Sequence, residues 1–284
     1  MSNLEVNMKV KIVSDSSSNV LSMKEIDYTS VPLKILAGDK EYVDDENLDV
    51  YQMVMDLQGH KGKTGTSCPN VAEWLDAFGD AEIVYGVSIT SNLSGSYNAA
   101  MQAKQIYEEQ YPERRVHIFD SLTAGSELLL IMEKIRQCVK DGMDFETTIQ
   151  EVNAYMSHTH TLFMLESLQN LARNGRVNHA VATAAGLLGI RIIGKGSDVG
   201  TIEPIHKSRG EKKAIVTVYN SMKDHGYAGG KVRISHCFNE GAVDTLVGKI
   251  RAEYPDADIE IGVCTALCCF YAEKGGLIVG YEGA

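Results

Sequence analysis

Hydroxyl groups gather at three places in this chain, each beside an apolar run or a helix start. Ile83-Val84-Tyr85-Gly86-Val87 leads into Ser88, Thr90, Ser91, Asn92, Ser94 and Ser96, with Ala99, Ala100 and Ala103 beyond. This pattern predicts a short buried strand, a hydroxyl-rich turn and a helix from about Ser94. A helix start offers unpaired N–H groups and a partial positive charge to an anion. Serine hydroxyls add neutral donors. No Lys or Arg lies between Ile83 and Ala100, so the expected anion is weakly charged, such as one carboxylate. The alternative is that Ser91 or Ser94 only caps the helix.

The second cluster, Ser14-Asp15-Ser16-Ser17-Ser18-Asn19, follows a strand predicted over Lys9–Val13. Ligands of open α/β sheets sit beyond the carboxyl ends of strands, so two such turns can line one crevice. Equally, Asp15 and the serines can simply close a turn. The third cluster falls in Lys61–Asn70, read as a loop, with Thr66 or Ser67 near the cap of a helix over Val71–Phe78 and Pro69 in its first turn. That loop lacks the G-x-x-x-x-G-K-[ST] order of a phosphate loop.

The elements that must hold these turns alternate. Further strands are predicted over Val31–Ile35 and Val116–Phe119, with helices over Glu127–Lys140 and Phe145–Met156. The expected product is a mostly parallel sheet with helices on both faces. A polar stretch, Ser157-His158-Thr159-His160, then divides the chain into 1–158, an α/β/α domain, and 159–284, a mixed-sheet α/β domain. The second part reads as a strand over Thr159–Leu165, a short helix over Glu166–Ala172 and a small-residue helix over His179–Leu188. A hairpin of Ile190–Gly194 and Thr201–Ile205 follows, then helices over Gly210–Lys223 and Glu240–Tyr254. Strands over Lys231–His236, Ile259–Val263 and Leu277–Tyr281 complete it. Ala180–Leu188 and Ala266–Phe270 are apolar enough to line a cavity or to form ordinary core.

The 284 residues carry a formal net charge of −11, which argues against a general nucleic-acid binder. No apolar run approaches the roughly 18 residues of a membrane helix, and the start of the chain lacks a signal-peptide core. A cytoplasmic protein without an integral membrane segment is expected. The six cysteines form no C-x-x-C pair; Cys264, Cys268 and Cys269 read as small core residues, and no metal or cofactor is expected.

Three chemistries compete. A serine hydrolase or acyl transferase using Ser94 needs a base and an orienting group, for which His236 and Asp15 are the candidates, but no G-x-S-x-G elbow surrounds Ser91 or Ser94. A nucleotide enzyme lacks both G-x-G-x-x-G and Walker A. A binding protein whose neutral hydroxyls hold the polar head of an apolar ligand fits the clusters best, because two or three donors suffice for a carboxylate.

The order of motifs resembles the DegV family of bacterial fatty-acid-binding proteins. Ile12-Val13-Ser14-Asp15-Ser16 is similar to the family's first strand and turn, Thr66-Ser67-Cys68-Pro69-Asn70 to T-S-Q-P-S, and Ser91-Asn92-Leu93-Ser94-Gly95-Ser96-Tyr97 to S-x-L-S-G-T-Y. Asp120-Ser121 matches a further D-S turn, and Leu168–Val177 resembles L-x-x-L-x-K-G-G-R-I. The Thr201–Pro204 strand and Lys207 and Arg209 resemble the family's next strand pair and its K-x-R. The resemblance spans essentially the whole chain. It implies a two-domain α/β fold with a long-chain fatty acid between the domains. It implies a carboxylate held by Thr66 and Ser94, with Ser67, Ser91, Gly95 and Tyr271 as neighbouring candidates. It further implies that the binding protein is not itself an enzyme and presents its ligand to a separate ATP-dependent fatty-acid kinase for phospholipid synthesis. Arg173 and Arg176 lie in the family's Arg-bearing turn, where they would meet the kinase or stand as surface charge. Where the family carries H-x-G-P-G, this chain has Tyr271-Ala272-Glu273-Lys274-Gly275; Tyr271 donates a hydrogen bond but is no cation. A lipid-binding regulatory protein with no kinase partner is the remaining alternative.

Overall fold

The computed structural model describes residues 8–178 and 189–284; the helix expected over 179–188, and the cavity wall expected of it, lie outside the described residues. β1 (Val10–Asp15), β2 (Asp27–Val31), β6 (Ile83–Ser88) and β7 (Arg115–Asp120) form a four-stranded sheet in the order β2-β1-β6-β7. All its pairings are parallel, with Ile12 opposite both Tyr28 and Tyr85. Every residue of β6 is buried, as expected where helices cover both faces. On one face α2 (Val71–Phe78) and α3 (Ser96–Gln110) bury Trp74, Phe78, Ala103 and Tyr107. On the other, α4 (Ser126–Lys140) and α5 (Phe145–Met156) bury Leu128, Ile131, Ile135 and Val152. The chain leaves β1 toward β2 on one side and β6 lies on the other, so the carboxyl ends of β1 and β6 flank a switch point, where a crevice opens.

A small antiparallel sheet stands apart, in the order β4-β3-β5: β3 (Lys34–Ala37), β4 (Lys40–Val43) and β5 (Thr64–Ser67). Four expectations change here. The single strand over Val31–Ile35 is in fact the end of β2 and the start of β3, in different sheets, because Pro32 between them has no N–H for a ladder. The loop around Thr66 is a strand, with Ile35 opposite Thr66. The α2 cap is neither Thr66 nor Ser67. Asn70 accepts from the Glu73 N–H at 3.0 Å while Glu73 accepts from the Asn70 N–H at 2.7 Å, a reciprocal capping box. Pro69 lies before this cap, outside the helix.

From Thr159 onward the strands join a six-stranded mixed sheet, β10-β9-β8-β13-β11-β12. It comprises β8 (Thr159–Leu165), β9 (Ile190–Gly196), β10 (Ile202–Arg209), β11 (Val232–His236), β12 (Ile259–Val263) and β13 (Leu277–Glu282). β9 and β10 form the expected hairpin. Alternation sorts the faces: Leu162 and Met164 of β8 enter the core beneath α7 (Glu211–Asp224) and α8 (Glu240–Glu253). Phe163 and Leu165 point the other way, to a core shared with α1 (Val50–Gly59), α6 (Gln169–Arg173) and α9 (Ala266–Ala272).

α4 lies between the two large sheets. Its Ser126 Oγ donates to Ser235 Oγ at 2.9 Å, and its Glu133 accepts from Arg233 Nε and Nη2 at 3.1 and 2.8 Å. Gly280 on β13 admits this contact, since a Cβ there would come within 2.5 Å of the Glu127 nitrogen. Among the described residues no helix is long and apolar enough to cross a membrane.

Candidate functional site

Asp15 joins the first two hydroxyl clusters. It is fully buried and ends β1 beside a 3₁₀ turn of Ser16–Ser18. One oxygen accepts from the Ser17 N–H; the other accepts from the Ile89 N–H at 3.0 Å and from Ser96 Oγ at 2.7 Å. Burial raises its pKa, against the pull of these hydrogen bonds. Asp15 therefore fixes the turn that carries Ser94. Its oxygens are committed, and His236 accepts from the Asn239 N–H through Nδ1 at 3.1 Å. Neither is arranged as a partner for a Ser94 nucleophile.

The helix after that turn starts at Ser96, with Gly95 as its cap residue and no side-chain cap. This corrects the expectations that Ser91 or Ser94 caps it and that the helix runs from about Ser94. The Ser91 N–H donates to Asp120 Oδ1 at 3.0 Å. Ser94 Oγ accepts from the Ser96 N–H at 3.2 Å, leaving its own proton free for another acceptor.

Between the two large sheets lies a cavity of about 880 Å³, the open solvent at its mouth included. Its walls are mainly apolar, among them Leu33, Ile89, Phe163, Leu165, Leu267 and Ile278. A few polar groups also line it. Thr66 Oγ1 and Tyr271 Oη are 2.8 Å apart, and Ser94 and Arg176 share the same lining. Whichever of Thr66 and Tyr271 donates to the other, one proton of the pair remains for a ligand. Burial pushes the Tyr271 pKa up, so it stays a neutral donor.

Arg176 is the unexpected member. Its Nε donates to the Leu93 carbonyl at 3.2 Å and its Nη1 to the Asn174 carbonyl at 2.5 Å. Its guanidinium lies 5.9 Å from the centre of the Tyr271 ring, within cation–π range. Guanidinium carries five N–H donors, so three are left over. The local sequence around Ser94 contains no cation, but the fold brings one there from the turn after α6. Arg173, grouped with it as a partner-facing residue, is exposed instead, with Nη2 donating to Gln169 Oε1 at 3.3 Å.

The other candidates lie off the cavity. Ser67 follows Thr66 on β5, and successive side chains on a strand point to opposite faces. Gly95 is exposed, and a Cβ there would meet Cys68 Sγ at 3.2 Å. Cys268 does line the cavity. Its pKa is raised by burial, which makes it a small inert wall residue. Among the described residues no group of three or more His, Cys, Asp or Glu is placed to hold a metal.

Two contributors escaped the sequence reading. The apolar run at Ala266 is a helix, α9, and its open N-terminus is met by Asp44. That carboxylate accepts from the Ala266 and Leu267 N–H groups at 2.6 and 3.0 Å and from Thr265 Oγ1 at 3.1 Å. The contact fixes the helix that carries Tyr271. Only the acidity of Asp44-Asp45-Glu46 before α1 hinted at Asp44, and nothing local pairs it with residue 266.

The fold and the cavity together define an α/β protein with parallel and mixed sheets around a mainly apolar pocket with a few polar groups in its lining. The chain belongs to the DegV family, whose model, described as an uncharacterised protein family, matches residues 9–282. A DegV domain-containing protein of Streptococcus pneumoniae is 39% identical over 279 residues, 97% of this chain and 99% of that one. A DegV family protein from Eubacterium eligens, solved loaded with heptadecanoic acid, superposes with a TM-score of 0.95 at 39% identity, covering 97% of this chain and 100% of that one. The Streptococcus pneumoniae Fatty Acid Kinase (Fak) B3 protein, solved loaded with linoleic acid, also gives 0.95, at 38% identity over 98% and 100% of the two chains.

Proposed function

We propose that this chain binds one long-chain fatty acid in the cavity between an N-terminal domain, 1–158, and a C-terminal domain, 159–284, and presents the carboxylate to a separate fatty-acid kinase. The observation that carries the reading is a mainly apolar cavity in whose lining the Thr66–Tyr271 pair, Ser94 and Arg176 come together. Burying a methylene is worth roughly 0.8 kcal/mol, so a C16 chain supplies on the order of 11 kcal/mol before the costs of binding. The head group then needs orientation more than strength. Two neutral hydroxyls and one guanidinium supply it, with Arg176 balancing the carboxylate charge. The fatty acids carried by the Eubacterium eligens and Streptococcus pneumoniae structures support the same ligand class for this chain.

On this reading the chain has no catalytic machinery. It acts in the cytoplasm, where the kinase has ATP. The kinase step is tested by adding a fatty-acid kinase and ATP to the loaded protein: acyl phosphate is expected. Retention of the fatty acid with no acyl phosphate formed favours a regulatory lipid binder instead. Turnover of activated acyl esters that is lost in Ser94→Ala would favour the hydrolase reading.

A further inference from the structure

One wall of the cavity is shaped by a residue that does not touch it. Gly194 on β9 lies directly opposite Phe163 on β8, on the same face of the sheet. Its φ is outside the left-handed region, so the backbone there does not call for glycine. Space does. A Cβ at Gly194 would come within 2.1 Å of Phe163 Cζ and 2.6 Å of Cε2, and within 2.7 Å of the Glu203 carbonyl oxygen. The tip of the Phe163 ring therefore lies against bare backbone. Phe163 borders the cavity, whereas Gly194 is buried and does not, because the ring covers it. On the other flank of Phe163 stands Ile278 of β13, which also borders the cavity. Ile278 is backed in turn by Gly125, where a Cβ would lie 2.8 Å from Ile278 Cγ2. The ring thus has room on the glycine side only, with the sheet beneath it. Denied that room, its remaining space is the cavity.

We propose that Gly194, acting through Phe163, sets how long an acyl chain this cavity takes. The proposal rests on the fatty-acid reading above and deepens it. Reclined on Gly194, the ring leaves the lumen clear for a long unbranched chain. Raised by any side chain at position 194, it stands in the lumen and excludes several methylenes. Each methylene kept from burial weakens binding by about fourfold, so the penalty falls on long chains and spares short ones. Phe163 touches the chain and selects; Gly194 is the positioning residue behind it.

The test is a competition between stearic and myristic acids, offered together to delipidated protein and read by native mass spectrometry. In Gly194→Ala the stearic-to-myristic ratio is expected to fall about tenfold from the wild-type value, the worth of burying roughly two methylenes. A general loss of stability would lower both acids alike and leave the ratio where it was. Adding Phe163→Leu to Gly194→Ala removes the ring that the new methyl displaces, and is expected to bring the ratio back to within about twofold of wild type. Phe163→Trp puts a larger ring in the same place with β9 unaltered; it is expected to lower the ratio too, and decides the matter if Gly194→Ala does not fold. A ratio unchanged in the single variants, or a fall in Gly194→Ala that Phe163→Leu does not reverse, overturns the chain-length proposal alone. A wild type that takes up neither acid overturns it together with the fatty-acid reading.

Discussion

At the scale of single residues, the proposed head-group site offers contacts of unequal kind. Thr66 and Ser94 are neutral donors, and losing one such hydrogen bond costs about 0.5–1.5 kcal/mol. Thr66→Val and Ser94→Ala are therefore each expected to weaken fatty-acid affinity by a few-fold to about tenfold, measured by titration calorimetry on delipidated protein. Arg176 is charged, and hydrogen bonds to charged groups are worth about 1.5–3 kcal/mol. Arg176→Met should weaken binding more than either hydroxyl change; an equal or smaller effect would show that the guanidinium does not face the carboxylate. The inequality follows from the Leu93 and Asn174 carbonyls, which anchor Arg176 while leaving N–H groups over.

At the scale of elements, the carboxylate of Asp44 acts as the N-terminal cap of α9, from the other half of the molecule. Asp44→Ala removes an N-cap acceptor and is expected to cost about 1–2 kcal/mol in urea unfolding. Its pH dependence has a definite sign. Burial raises the pKa of Asp44 in the folded protein. Its contribution is then full below the unfolded value of about 3.9 and is lost as pH rises through the folded value. The stability of wild type relative to Asp44→Asn should thus improve as pH falls toward the unfolded value of about 3.9; the opposite slope would mean that the caps, not burial, dominate. This contact also marks where the sequence stops being readable. α5 over Phe145–Met156, β8 over Thr159–Leu165 and β12 over Ile259–Val263 have the expected bounds, because apolar period and flanking polar residues act locally. β5 escapes because Thr64-Gly65-Thr66-Ser67 has no apolar alternation and is a strand only through its partner β3. α9 escapes as a helix because its cap comes from 222 residues away. In the candidate site, Thr66, Ser94 and Tyr271 are legible as motif residues. The placement of Arg176 is not, since a charge in one turn reaches Ser94 only after folding.

At the scale of the whole molecule, the cavity exists because two sheets are held apart by α4 and pinned to it. Arg233 is 4% exposed and Glu133 7% in their side chains, with Asp258 on the outer side of the same guanidinium at 3.0 Å. Arg233→Met leaves the buried Glu133 with only Lys231 at 3.6 Å. Stranding a buried charge is strongly destabilising, so a loss on the order of 3 kcal/mol is expected in urea unfolding; a neutral result would mean that this ion pair does not hold the two halves together. On the proposed function, a bound fatty acid would join the halves as well. A fatty acid at a hundred times its dissociation constant should stabilise the protein by about 2.7 kcal/mol, because only the assembled cavity binds it. The central claim, one long-chain fatty acid per molecule, is met most directly by native mass spectrometry of the protein purified from a bacterial host, with extraction of the bound lipid. The account predicts a single adduct near the mass of palmitate or stearate that is lost on delipidation and restored by added fatty acid. A protein that is ligand-free as purified and takes up no fatty acid afterwards would contradict it.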